Sequence, residues 1–136
     1  FEQDKATTIN PNGLTERCNG GCLNRQDIRL GGVLHGVSSD SFWDPVFAAS
    51  RQAALDMGIT LELERFEPEQ TTDLVHEKMA ARVRTLCESG VDGIFVTIPS
   101  EELIAPIQLC QSLNIPVVSI NAGADISERL GLMHHV

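Results

Sequence analysis

Phe42 and Trp43 stand side by side in a chain with five Phe, one Trp and no Tyr. They follow a run of small polar residues, Ser38, Ser39, Asp40 and Ser41. Aromatic faces pack on the C–H faces of a sugar ring, and hydroxyls and a carboxylate can hydrogen-bond its oxygens. One aromatic of the pair can equally serve as a core plug at the start of a following helix. His35, just upstream, can hydrogen-bond a ligand, and a histidine satisfied within the fold fits the same position.

Two further groups of small polar residues follow apolar runs. Thr97, Pro99 and Ser100 close the run GIFVTI, and Asn121, Ala122 and Gly123 follow IPVVSI. Asn121 brings two donors and an acceptor, which suits a neutral, hydroxyl-rich ligand. The plainer alternative makes Asn121 and Asp125 turn and cap residues only.

Sharper chemistries lack their residues. No GxGxxG follows the first apolar run, no phosphate-binding Gly-Lys-Ser/Thr occurs, and there is no Gly-x-Ser-x-Gly elbow. Asp40 and Asp44 lack the acidic pair and the lysine of a phosphoacceptor site. No nucleophile is paired with a base, so neither catalysis nor a cofactor is expected. His134 and His135 are adjacent, and adjacent strand residues point to opposite faces, so no metal is expected there. His76 is expected on the surface.

Four cysteines form two groups. Cys18 and Cys22 enclose Asn19, Gly20 and Gly21, a spacing that permits a local disulfide loop and matches neither CxxC redox chemistry nor a complete zinc site. Cys87 and Cys110 close two successive helical stretches. An even cysteine count in an acidic chain that starts at Phe1 fits an oxidising compartment with any signal peptide removed, whereas four reduced thiols remain the alternative.

The elements that must position these groups alternate. Ile28 to His35 reads as a strand, Asp44 to Met57 as a helix with Pro45 in its first turn and Gly58 as its cap, and Ile59 to Phe66 as a second strand. Thr71 or Thr72 caps a helix running to about Ser89, whose Leu74, Val75, Met79, Val83 and Leu86 recur at helical spacing. Gly93 to Ile98 is a strand buried on both faces, Ser100 caps a third helix ending near Asn114, and Ile115 to Ile120 is the fourth strand. Asp125 to Arg129 allows one helical turn, and Leu132 to Val136 a fifth strand. Residues 1–27 carry turn signals without apolar periodicity and read as an irregular extension.

Crossovers of this length make the sheet parallel, and the fold class is a doubly wound α/β domain with helices on both faces. Ligands of such sheets bind outside the carboxyl ends of the strands where strand order reverses, which selects the loops holding His35 to Trp43, Thr97 to Ser100 and Asn121 to Gly123. The same topology puts the helices ending in Cys87 and Cys110 on one face, so those two cysteines can pair.

With 136 residues the chain fits one domain. Its 42% hydrophobic and 21% charged residues are those of a globular protein. Ten Lys and Arg against nineteen Asp and Glu give a net charge of −9, which repels phosphates, so nucleic acid is not an expected partner. No stretch reaches the roughly 20 apolar residues of a membrane helix.

Residues 28–136 resemble the N-terminal lobe of type I periplasmic binding proteins, specifically the sugar-binding components of bacterial ABC transporters. The resemblance is carried in order by GVLHGVSSDSFWDPV, ALDMG, VDGIFVTIPS, IPVVSINAG and ERLGLMHHV. It implies a non-catalytic, periplasmic or extracellular receptor whose two lobes close on a small sugar and deliver it to a membrane transporter. First-lobe ligand contacts then fall on Ser38, Ser39, Asp40, Phe42 and Trp43, on Thr97 to Ser100, and on Asn121, Ala122 and Gly123.

The family has a second lobe beyond the position of Val136, and residues 1–27 have no counterpart in it, so the chain is expected to be a fragment. Alone it is expected to bind sugar weakly or not at all, and to tend to form a homodimer or to swap through the open cleft face or the final strand. The same fold also serves as a sensory domain in receptors and regulators. The non-basic, non-helical start disfavours the DNA-binding version.

Overall fold

The computed structural model describes residues 24–132 and 134–136. Five strands, β1 (Arg29–Val33), β2 (Thr60–Leu63), β3 (Gly93–Val96), β4 (Val117–Ser119) and β5 (His134–His135), form one parallel sheet in the order β2-β1-β3-β4-β5. Strand order reverses between β1 and β3, where Gly32 pairs with Phe95 and Val33 with Val96. Four α-helices connect them: α1 (Asp44–Met57), α2 (Thr72–Glu88), α3 (Ile104–Ser112) and α4 (Ala124–Leu130). Among the described residues no helix is long and apolar enough to cross a membrane.

Local chemistry sets the helix ends. Pro45 lies in the first turn of α1, where its missing N–H leaves nothing unpaired, and Gly58 ends the helix in the left-handed region at φ +69°. The Thr71 hydroxyl accepts from the Leu74 N–H at 3.3 Å to start α2.

Alternation along the strands sorts the core into two layers. On one face Val33, Ile94, Val96 and Val117 meet Val75, Met79, Val83 and Leu86 of α2, Ile107 of α3 and Ile126 of α4. Cys87 and Cys110, both buried there, form a disulfide with Cα atoms 5.3 Å apart. Among the described residues the other face carries α1 alone: Leu34, Trp43, Phe47 and Leu63 are buried, whereas Leu61, Phe95 and Ile120 are only partly covered.

Four expectations need correction. The third helix does not start at its Ser100 cap as an α-helix: Glu101–Leu103 is a 3₁₀ turn leading into α3. Pro106 has no N–H to offer the Glu102 carbonyl, so the first turn tightens instead. Helix α4 has seven residues, because the punctuating glycine is Gly131 at φ +67°. Among the described residues strand β5 pairs over two, His134 with Val118 and His135 with Ser119. The chain is already ordered before Ile28, in a 3₁₀ turn over Arg25–Asp27. Cys18, Cys22 and the other residues of 1–23 lie outside the described residues.

Candidate functional site

The carboxyl ends of β1, β3 and β4 bring three loops to one edge. Thr97 N–H donates to the Val33 carbonyl at 3.1 Å, and Ile98 N–H donates to the Ala122 carbonyl at 3.0 Å, so the strand after β3 links the other two.

The loop after β1 turns on Gly36. A Cβ there would lie 2.6 Å from the Trp43 Cβ, so the indole occupies the space a side chain would need. Trp43 is 4% exposed and Phe42 66% exposed, and their rings meet edge to face at 5.5 Å. Trp43 thus takes the role of core plug, and Phe42 alone of the aromatic pair offers a face to solvent. The two point oppositely because Ser41–Trp43 form a 3₁₀ turn, begun by the Asp40 carboxylate accepting the Phe42 N–H at 3.1 Å.

Three groups of the loop after β2, which sequence reasoning left out, hold this turn from below. Arg65 donates to the carbonyls of Val37 at 3.1 Å and Asp40 at 2.6 Å, pairs with Asp44 at 2.6 Å, and lies 4.7 Å over the Phe47 ring. Ser38 N–H donates to the Phe66 carbonyl at 2.8 Å, and Ser38 Oγ donates to Glu67 at 2.8 Å. The one arginine within the predicted strand Ile59 to Phe66 was the available signal. Ser38, Ser39 and Asp40 are exposed.

Thr97 is fully buried. Its Oγ1 accepts from the His35 backbone N–H at 2.9 Å and lies 2.8 Å from His35 Nδ1. The His35 ring also stands edge-on to Trp43 at 4.9 Å. Burial holds the His35 pKa below its ordinary 6.5, His76 acts in the same direction, and Asp40 opposes both. Pro99 and Ser100 are half-buried, and Ser100 Oγ accepts from the Glu102 N–H at 3.3 Å.

The loop after β4 is shaped by its backbone. Asn121 is exposed at φ +62°, a conformation asparagine tolerates. Gly123 has φ +95°, and a Cβ there would lie 2.6 Å from the Ile98 carbonyl oxygen, so only glycine fits. Ala122, partly covered, is fixed by its N–H donating to the Ile120 carbonyl at 2.7 Å.

His76 is half-buried rather than on the surface. With His35, Val37, Glu69, Thr72 and Val75 it lines a cavity of about 260 Å³ beside the loop after β1. Ligand atoms of Asp73, His76 and Glu102 lie within 4.8 Å of one another. Asp73 and Glu102 each sit in the first turn of a helix, where the helix dipole favours a carboxylate without any cation. His134 and His135 are exposed, and His135 Nδ1 lies 2.8 Å from Ser119 Oγ.

No family model matches the sequence, and no curated protein is similar to it. Solved structures are similar. A carbohydrate transporter from Acidothermus cellulolyticus 11B, in complex with myo-inositol, aligns with TM-score 0.68 at 29% identity over 79% of this chain and 36% of its own. A periplasmic solute-binding protein of an ABC transporter from Actinobacillus succinogenes 130z, with bound D-allose, aligns with TM-score 0.66 at 20% identity over 81% and 38% of the two chains. An ABC transporter solute-binding protein from Burkholderia graminis C4D1M, in complex with D-arabinose, gives 0.69 at 16% identity over 84% and 36%. The chain thus spans little more than a third of the length of these structures. In fold, the chain is similar to one lobe of these sugar-binding proteins.

Proposed function

We propose that the chain is the first ligand-binding lobe of a receptor for a sugar or polyol, working with an ABC-type membrane transporter in the periplasm or outside the cell. The observation that carries this is the carboxyl edge at the β1/β3 switch point. There exposed Phe42 stands beside Ser38, Ser39 and Asp40, with Asn121 on the neighbouring loop. Such an edge offers one apolar face and several hydrogen-bonding groups, the complement of a carbohydrate ring. The similar structures, each holding a sugar or cyclitol in a receptor, support the same reading. The disulfide supports an oxidising compartment.

Residues 28–136 act as one lobe, and hinge closure against a second lobe supplies the rest of the cleft. The lobe alone therefore binds weakly, and its thinly covered sheet face, with Leu61, Phe95 and Ile120, favours self-association at high concentration.

A screen of aldoses, ketoses and polyols by thermal shift and by Trp43 fluorescence, run on the product of the complete gene, tests the function. One ligand class is expected to raise the melting temperature in a saturable way. Silence across hexoses, pentoses and polyols contradicts the sugar assignment.

A further inference from the structure

We propose that Thr97 is a positioning residue that holds His35 as the neutral imidazole with its proton on Nε2, so that the sheet edge presents an N–H donor to an acceptor atom of the ligand. For a sugar or polyol that acceptor is a hydroxyl or ring oxygen, a step that rests on the function proposed above.

A threonine hydroxyl has one proton to give and two positions that accept. Thr97 Oγ1 already accepts the His35 backbone N–H at 2.9 Å, and its one other hydrogen-bond partner among the described residues is His35 Nδ1, at 2.8 Å. Were Nδ1 protonated, both groups would donate to the same oxygen, and the hydroxyl proton of a residue with no exposed surface would have no acceptor. Burying an unpaired hydroxyl is unfavourable. The hydroxyl therefore donates to Nδ1, and the proton of the neutral ring sits on Nε2. That nitrogen makes no hydrogen bond among the described residues and is not sealed from solvent. Trp43, edge-on at 4.9 Å, fixes the plane of the ring.

The charged and titratable groups around the imidazole are Asp40 on its own loop, His76 on α2, and Glu69 before α2, which pairs with Lys78. Protonating His35 would both charge a partly buried ring beside His76 and orphan the Thr97 hydroxyl. The donor state is thus present above the ordinary histidine value of 6.5 and is lost as pH falls through the lowered one.

Long-range proton–nitrogen spectra of the imidazoles in the 136-residue chain test this, with the His35 signals assigned by their loss in His35→Gln. The expected result is the Nε2–H pattern at neutral pH and a titration midpoint below 6.5. In Thr97→Val the midpoint moves up and both tautomers appear, and Thr97→Ser restores the original pattern. An Nδ1–H pattern in the unaltered chain overturns the proposal, as does a Thr97→Val spectrum identical to it. If Thr97→Val does not fold, the tautomer of the unaltered chain decides. No sugar is needed, so a chain that binds none leaves this result standing and the two readings fail separately.

Discussion

The loop after β1 and the loop after β4 reach the same edge of the sheet and are fixed by opposite means. Side chains lock the first: the Arg65 guanidinium spans two of its carbonyls, Asp40 caps its turn, and the Trp43 indole fills the space above Gly36. The second is locked by its own backbone, with Asn121 and Gly123 at positive φ and the Ala122 carbonyl bonded to Ile98. A side-chain-locked loop loosens piece by piece when single groups are removed. A backbone-locked loop tolerates side-chain loss and fails when φ is restricted. The first loop can therefore adjust its shape, while the second stays a fixed reference.

Gly123→Val should have the largest effect. It combines a β-branched residue at φ +95° with a Cβ 2.6 Å from the Ile98 carbonyl oxygen, and strain and overpacking of this kind cost about 3 kcal/mol or more. Urea unfolding should show the midpoint falling at an unchanged slope. A midpoint within error of the original would remove the distinction between the loops.

Arg65→Met comes next. It keeps packing against Phe47 but removes the charged second donor from the Val37 and Asp40 carbonyls, which retain the Asp40 and Trp43 N–H, at a cost of about 1.5–3 kcal/mol, as for hydrogen bonds to a charged group. Amide exchange should accelerate over Ser38 to Trp43 and stay unchanged over Asn121 to Gly123. Equal acceleration in both loops would show that they move as one.

Asn121→Gly should be smallest, within about 0.5 kcal/mol, because glycine adopts φ +62° freely. Any loss of sugar affinity in that variant then reports on the amide group itself. A large loss of stability would show that the side chain, and not the backbone, holds this turn.

The same contrast marks what could be read from the sequence. The run GIFVTI, apolar and bounded by turn residues, announced a central strand, although its Phe95 face is only partly covered, and Pro45 with Gly58 announced the limits of α1. Parallel pairing followed from crossover length, and the rule that ligands bind at strand carboxyl ends selected the edge where the loops gather. What escaped was set by contacts distant in sequence. Whether Phe42 or Trp43 turns inward depends on a 3₁₀ turn and on the missing side chain of Gly36. The Arg65 clamp acts across 28 residues to Val37, and His76 shares a cavity with His35 and the loop before α2. Periodicity reports which face of an element is apolar; it carries no record of which polar side chain reaches back to a carbonyl.

The central claim is that this edge meets a sugar. Titrating myo-inositol, D-allose and D-arabinose into the isotope-labelled chain and following its amide signals tests it most directly, because shifts remain visible at millimolar affinity, about −4 kcal/mol. Saturable shifts with at least one of these, confined to Ser38 to Trp43, Thr97 to Ser100 and Asn121 to Gly123, are the predicted result. No shift with any of the three, or shifts centred on the opposite edge of the sheet, would contradict it.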